Sequence, residues 1–384
     1  MNKNYTINKM LNDISHNPIV TINSSFKLKT GFKLEQIKIA YQTYGSLNKS
    51  KSNAILLCHA LTGDQYASGI HPINKKPGWW NELIGPNKVF DTNRYFMICT
   101  NVLGGCMGTT GPLDLNPETG NPYGISFPEI SISDMVDVQK ILVDKLGIEQ
   151  LFCVIGGSMG GMQVLDWAAR YPNKVFSAAP IATSYRHTAQ NIAFHEVGRQ
   201  AIRNDPDWNK GEYIIHNTRP LLGLGAARMV AHITYMSEGA FAAKFGRERR
   251  DSALSNMFKS SFEVESYLQH QGSSFVDRFD ANSYLYITRA MDTFDLSESY
   301  INGLTEAFHN TPCRWLVVSF TSDWLFPTSE SKEIIRALNA NAADVSFVEI
   351  SSESGHDSFL LNVPRFHSVL KGFLDGAARH KNFG

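Results

Sequence analysis

The sequence predicts an α/β protein built on a mostly parallel central sheet flanked by helices, with a helical insertion in the middle of the chain. Three observations carry this. Near-continuously apolar runs of strand length recur in the first half, as strands buried on both faces require. Helix-length periodic stretches alternate with them from Ser133 onward, the order expected of crossover connections. Strand-like runs then lapse between about Ser184 and Leu304 and return near the end.

Taken in order, the strand-like runs of the first half are Ile37–Tyr44, Ala54–His59, Tyr95–Thr100 and Leu151–Gly156. Between the last two lies Ser133–Leu146, whose Met135, Val136, Val138, Ile141, Leu142 and Leu146 follow helical spacing. Ser133 or Asp134 is the expected N-cap, and Gly147 the stop. Met162–Tyr171 reads as a helix ended by Pro172. The middle carries helical patterns at Ala189–Asn204, Ala226–Met236 and Glu263–Gln271. Trp315–Phe320 returns to strand, Glu330–Leu338 to helix, Val345–Ile350 to strand and Arg365–Gly376 to a closing helix. The simplest division is a core of residues 1–183 and 305–384, interrupted by a helical lid, residues 184–304.

Composition narrows the class of protein. The 384 residues are 43% hydrophobic and 19% charged, which suits a chain with a large core. The formal charge is +0, with 36 basic and 36 acidic residues, so nothing points to nucleic acid or an anionic membrane. The five cysteines show no paired C-x-x-C spacing, which argues against zinc ribbons and disulfide frameworks. Met1–Val20 is polar and lacks the apolar run of a signal peptide, and no apolar stretch approaches a membrane span. A cytoplasmic protein is expected.

Gly156-Gly157-Ser158-Met159-Gly160 matches G-x-S-x-G, with a buried strand before it and a helix after it. That context makes it a nucleophile elbow, the mark of the α/β-hydrolase fold. The turn would present the Ser158 hydroxyl at a helix N-terminus, where backbone N–H groups favour developing negative charge. A serine hydroxyl is a weak nucleophile without a base, and the base needs an orienting acid. On this fold their order is Ser, Asp or Glu, then His. Asp323 follows the strand Trp315–Phe320, and His356 sits in a small polar loop after Val345–Ile350. Asp344 enters a strand instead of leaving one, and Glu353 shares the loop of His356, so both are weaker rivals to Asp323. The histidines of the middle segment, including His187, His195 and His232, precede Asp323 and break the order. The oxyanion hole should combine the Met159 N–H with that of Leu61, in the loop after the strand Ala54–His59. His59 itself reads as structural.

Longer motifs carry a resemblance. Asn101–Pro112, His59–Gly63, Gly156–Asp166, Ala227–Met229, His232–Tyr235 and Arg278–Tyr284 are similar to signature segments of the homoserine O-acyltransferase family, in the same order. The likeness runs from about Phe32 to Val369. It implies a ping-pong reaction in which Ser158 takes an acyl group from acyl-CoA and the side-chain hydroxyl of homoserine then receives it, a step of methionine biosynthesis. The family's substrate arginine matches Arg228 and its substrate aspartate matches Asp357. Physics suits both, since a zwitterion needs a cation for its carboxylate and an anion for its ammonium. The resemblance also implies a homodimer.

Succinyl users in the family tend to carry Arg two residues after the catalytic aspartate, where this chain has Leu325. Leucine cannot pair a second carboxylate, so acetyl-CoA is the expected donor. Homoserine O-succinyltransferase, a serine O-acyltransferase and a serine esterase or thioesterase stay open as alternatives. No metal or redox cofactor is expected: Gly104-Gly105 lacks G-x-G-x-x-G spacing and no His/Cys cluster has ligand spacing. CoA enters only as a carrier of substrate.

Overall fold

The computed structural model describes residues 18–250 and 262–382. Eight strands form the main sheet: β1 (Ile19–Ile22), β2 (Ile37–Tyr44), β3 (Ala54–Cys58), β4 (Phe96–Thr100), β5 (Cys153–Gly157), β6 (Ser177–Ile181), β7 (Arg314–Phe320) and β8 (Val345–Ile350). Their spatial order is β1-β2-β4-β3-β5-β6-β7-β8. The β1–β2 and β2–β4 pairs are antiparallel, and every later pair is parallel.

The sheet has a core on each face. In β3, Leu56 joins one apolar cluster with Ile98 and Val154, while Ile55 and Leu57 join the other with Met97 and Ile155. All five β3 residues are buried, which explains an apolar run without alternation. Burying each leucine contributes roughly 1.5–3 kcal/mol. The five cysteines are buried and unpaired.

Helices α1 (Ile132–Lys145) and α2 (Met159–Arg170) connect the parallel strands on one side. The cap of α1 differs from expectation. Ser131, not Ser133 or Asp134, is the N-cap, and its hydroxyl accepts the Asp134 N–H while the Asp134 carboxylate accepts the Ser131 N–H. Asp134 is thus the third residue of a capping box. Ser133 turns instead to the Asp166 carboxylate of α2, donating at 2.8 Å. Gly147 follows the helix with φ +69°, the left-handed stop expected of it.

β6 was not foreseen. Its sequence Ser-Ala-Ala-Pro-Ile is poor in β-formers, and Pro180 lies between two neighbouring strands, where proline is normally excluded. Short small residues let β6 run fully buried between β5 and β7.

Between β6 and β7 the named elements of the described residues are helical. They are α3 (Ala189–Arg203), α4 (Leu221–Tyr235), α5 (Glu238–Phe245), α6 (Glu263–Phe275), α7 (Ala281–Asp292) and α8 (Gly303–Ala307), with a 3-10 segment at Pro206–Gly211. Helix α4 starts five residues before the expected Ala226, because Gly223 and Gly225 are absorbed into it. Gly223 packs against the backbone of Ala201 and Ile202 in α3. Helices α9 (Thr328–Ala340) and α10 (Pro364–His380) complete the chain.

Candidate active site

Ser158 links β5 to α2. Its backbone sits at φ 59°, ψ −126°, a conformation an L-residue holds only at a cost of about 1–3 kcal/mol and under outside constraint. The constraints are visible. The Ser158 N–H donates to the Ile181 carbonyl at 3.0 Å, and the Ser158 carbonyl accepts the Thr183 hydroxyl and the Gly161 N–H, each at 2.8 Å. The turn also needs room. A Cβ on Gly160 would overlap the Cys58 carbonyl oxygen at the end of β3, and one on Gly157 would overlap the Phe359 ring.

His356 and Asp323 come together from loops after β8 and β7. His356 Nδ1 donates to Asp323 Oδ2 at 2.8 Å, and both residues are 3% exposed. The other carboxylate oxygen, Oδ1, accepts the Leu325 N–H at 3.0 Å and the Phe326 N–H at 2.9 Å. With Nδ1–H committed, the lone pair of a neutral His356 lies on Nε2. The His356 ring packs against Phe326, Phe359 and Tyr235. Phe359 also covers Gly157, while Phe326 and Tyr235 line the cavity that holds Ser158. The three candidate residues therefore share one end of the sheet and one aromatic wall. The rivals lie elsewhere: Asp344 pairs with Arg314 at 2.7 Å, and Glu353 is exposed.

The Ser158 cavity is narrow, about 30 Å³, and mostly apolar, with Leu61, Phe194, Val230 and Leu325 in its wall. Leu61 lines it and Met159 follows Ser158 in the chain, and neither N–H has an acceptor among the described residues. Met159 opens α2, where intrahelical partners are missing by geometry. Leu325 lies on the wall, its carbonyl accepting from Asn191 Nδ2 at 3.0 Å. His59 is structural, as expected. Its Nδ1 donates to the Ala60 carbonyl at 2.8 Å and its Nε2 accepts the Val102 N–H at 3.2 Å. Burial pushes its pKa down, which keeps it neutral.

Arg228 on α4 donates to the Thr62 hydroxyl at 3.0 Å and stacks over Phe275 and Tyr235. Arg278 donates to the Thr62 carbonyl at 2.9 Å. Both cations are thus tied to the residue following Leu61. Asp357 is half-buried beside His356, and its carboxylate has no hydrogen-bond or ion-pair partner among the described residues. Burial raises its pKa, against the attraction of His356 and Arg228.

A family model for the alpha/beta hydrolase fold matches residues 53–363. A curated homoserine O-acetyltransferase of Rhodospirillum rubrum is 60% identical over 358 residues, spanning 93% of this chain and 92% of its own length. The chain belongs to the homoserine O-acetyltransferase family. That is an acyltransferase family on the α/β-hydrolase fold, as the sequence reading expected. Among solved structures, the homoserine O-acetyltransferase of Bacillus anthracis is 28% identical with TM-score 0.85, covering 94% of this chain and 97% of that one. Esterase E22 is 30% identical with TM-score 0.84, covering 94% and 99%. Shape alone therefore does not separate transferase from esterase within reach of the homoserine O-acetyltransferase family.

Another part of the cavity wall carries a cluster with no signal in the sequence. His187, His195 and Asp292 place ligand-type atoms within 4.8 Å of one another. Asp292 Oδ1 accepts from His187 Nδ1 at 2.9 Å and from His195 Nδ1 at 2.7 Å, and Oδ2 accepts from Arg199 at 2.6 Å. Both imidazoles line the Ser158 cavity. A cation here would have to displace both N–H donors and sit beside a guanidinium, so the donor set suits a hydrogen-bonded cluster better than a metal. His187 and His195 are eight residues apart and Asp292 lies on another helix, which left no local pattern to read.

Proposed function

We propose that the chain transfers the acetyl group of acetyl-CoA to the side-chain hydroxyl of L-homoserine, through an acetyl-Ser158 intermediate. The observation that carries the acceptor is Asp357, a carboxylate without a partner beside His356 and within electrostatic reach of Arg228. An amino-acid zwitterion would satisfy both charges and bring its hydroxyl to the imidazole. The identity to the Rhodospirillum homoserine O-acetyltransferase supports the same acceptor.

In the first half-reaction His356 Nε2 takes the Ser158 proton as Oγ attacks the thioester carbon. The Leu61 and Met159 N–H groups hold the developing oxyanion. The C–S bond breaks and His356 returns the proton to the departing CoA sulfur. In the second, homoserine's hydroxyl gives its proton to His356 and attacks the acetyl carbon. Ser158 Oγ leaves and recovers that proton. The acyl group arrives on CoA, so no resident cofactor or metal is required. The helical segment between β6 and β7 acts as a lid that limits water at the acyl-serine.

The same reading makes the reaction a step of methionine biosynthesis and the enzyme a cytoplasmic homodimer. Exposed Val197 on α3 and Leu222 and Ile233 on α4 support a second copy packing on these helices. Among the described residues no helix is long and apolar enough to cross a membrane.

The test is CoA release from acetyl- and succinyl-CoA, with homoserine, with serine and with neither. Fastest release from acetyl-CoA with homoserine, abolished in Ser158→Ala, is expected. Release that homoserine does not accelerate would replace this reading with a thioesterase.

A further inference from the structure

Among the described residues the buried His187 Nε2 has no hydrogen-bond partner, and His187 lines the Ser158 cavity. On the same wall Asn191 Nδ2 donates to Leu325 O, Thr234 to Ala231 O, and His195 Nδ1 to Asp292. Native proteins pair nearly all buried polar atoms, so an unpaired one in a cavity wall marks a place for a donor from outside the chain.

The chemistry of that donor follows from the cluster. His187 gives its Nδ1–H to Asp292, so Nε2 carries the lone pair and can only accept. Desolvation holds the His187 pKa down at about 4, which keeps the ring in this neutral form near pH 7. The visitor must therefore bring an N–H or O–H. On the acetyl-CoA reading above, on which this inference rests, homoserine's ammonium goes to Asp357 and its hydroxyl to His356. The nearest remaining donor is the amide N–H of the cysteamine unit, two carbons from the thioester sulfur.

We propose that His187 Nε2 accepts a hydrogen bond from the cysteamine amide N–H of the acyl donor and so docks the thioester arm against Ser158. Asp292 sets the tautomer and ring angle, with Arg199 holding its second oxygen. A second, open groove that His187 also lines carries Asp295, Glu298, Glu330 and Glu333 against Arg186, a poor match for CoA phosphates.

The test compares two short donors, S-acetyl-N-acetylcysteamine, which has the amide N–H, and S-ethyl thioacetate, which has none. Each is assayed with homoserine against the wild-type protein, His187→Leu and His187→Gln. His187→Leu should raise KM for the amide-bearing donor about three- to tenfold, the loss of one neutral hydrogen bond. Its kcat/KM for ethyl thioacetate should stay within about twofold of wild type. His187→Gln keeps an acceptor oxygen and should recover part of the loss. Equal losses with both donors in both variants would make His187 structural and overturn the proposal. No change with either donor would leave the site to a water molecule and overturn it as well. Wild-type protein that transfers nothing to homoserine would instead strike the functional reading beneath.

Discussion

Asp323 holds His356 by one carboxylate oxygen, 2.8 Å from Nδ1, while its other oxygen is held by the Leu325 and Phe326 N–H groups. The carboxylate cannot rotate without losing backbone bonds, so it fixes both the tautomer and the plane of the imidazole. Asp323→Asn replaces one acceptor with an NH₂ donor that faces the ring. A fall in kcat of about 10³–10⁴ is expected from the wrong tautomer, with binding and folding largely kept. Steady-state CoA release beside thermal unfolding checks this. A kcat within tenfold of wild type would remove Asp323 from the proposed triad.

Leu325 follows on the same loop and faces the cavity. A donor with a second carboxylate finds no partner in this stretch of wall, and burying that charge unpaired is unfavourable. Leu325→Arg supplies a fork for it. The ratio of kcat/KM for succinyl-CoA over acetyl-CoA should rise at least about tenfold, the worth of one charge-assisted bond. Competition between the two donors in one assay reads this ratio directly.

Gly160 of α2 packs directly on the end of β3. A methyl group there meets the Cys58 carbonyl oxygen, which belongs to the sheet and cannot move alone. Gly160→Ala should destabilise the fold by about 1–3 kcal/mol or more, as overpacking does. Urea unfolding measures it. Activity should fall by more than stability accounts for, because separating α2 from β3 also separates Met159 from Leu61.

Those residues show what was legible in the sequence and why. The elbow could be read because a strained serine demands small neighbours in fixed positions. Asp323 and His356 could be read because each lies in a loop just after a strand-like run, and the fold sets their order. β6 could not, since Ala178, Ala179 and Pro180 carry no strand signal and are held by β5 and β7 alone. The α1 cap slipped by two residues because Ser131 and Ser133 are alike in composition and only tertiary contacts assign one to the helix and the other to Asp166. His187, His195, Arg199 and Asp292 stayed invisible because their meeting depends on how α3 packs on α7. No sequence period encodes that crossing.

Asp357 offers a test in which function and stability part company. Burial raises its pKa above the ordinary value of 3.8, and the attraction of His356 and Arg228 offsets the loss of water only in part. The sign follows from linkage. In the window between the unfolded and the raised folded pKa, the folded chain binds more protons than the unfolded one, so stability falls as pH rises through the folded pKa. At pH 7 the ionised side chain is therefore a net burden on the fold. Asp357→Asn should melt higher than wild type at pH 7, and the gain should shrink to nothing as the pH drops below about 4. The same variant should raise KM for homoserine and lose the upward shift in Tm that homoserine gives the wild-type protein. Thermal unfolding across pH, with and without homoserine, reads both effects. A variant that melts lower at pH 7 yet still gains stability from homoserine would show that Asp357 supports the fold and does not hold the ammonium.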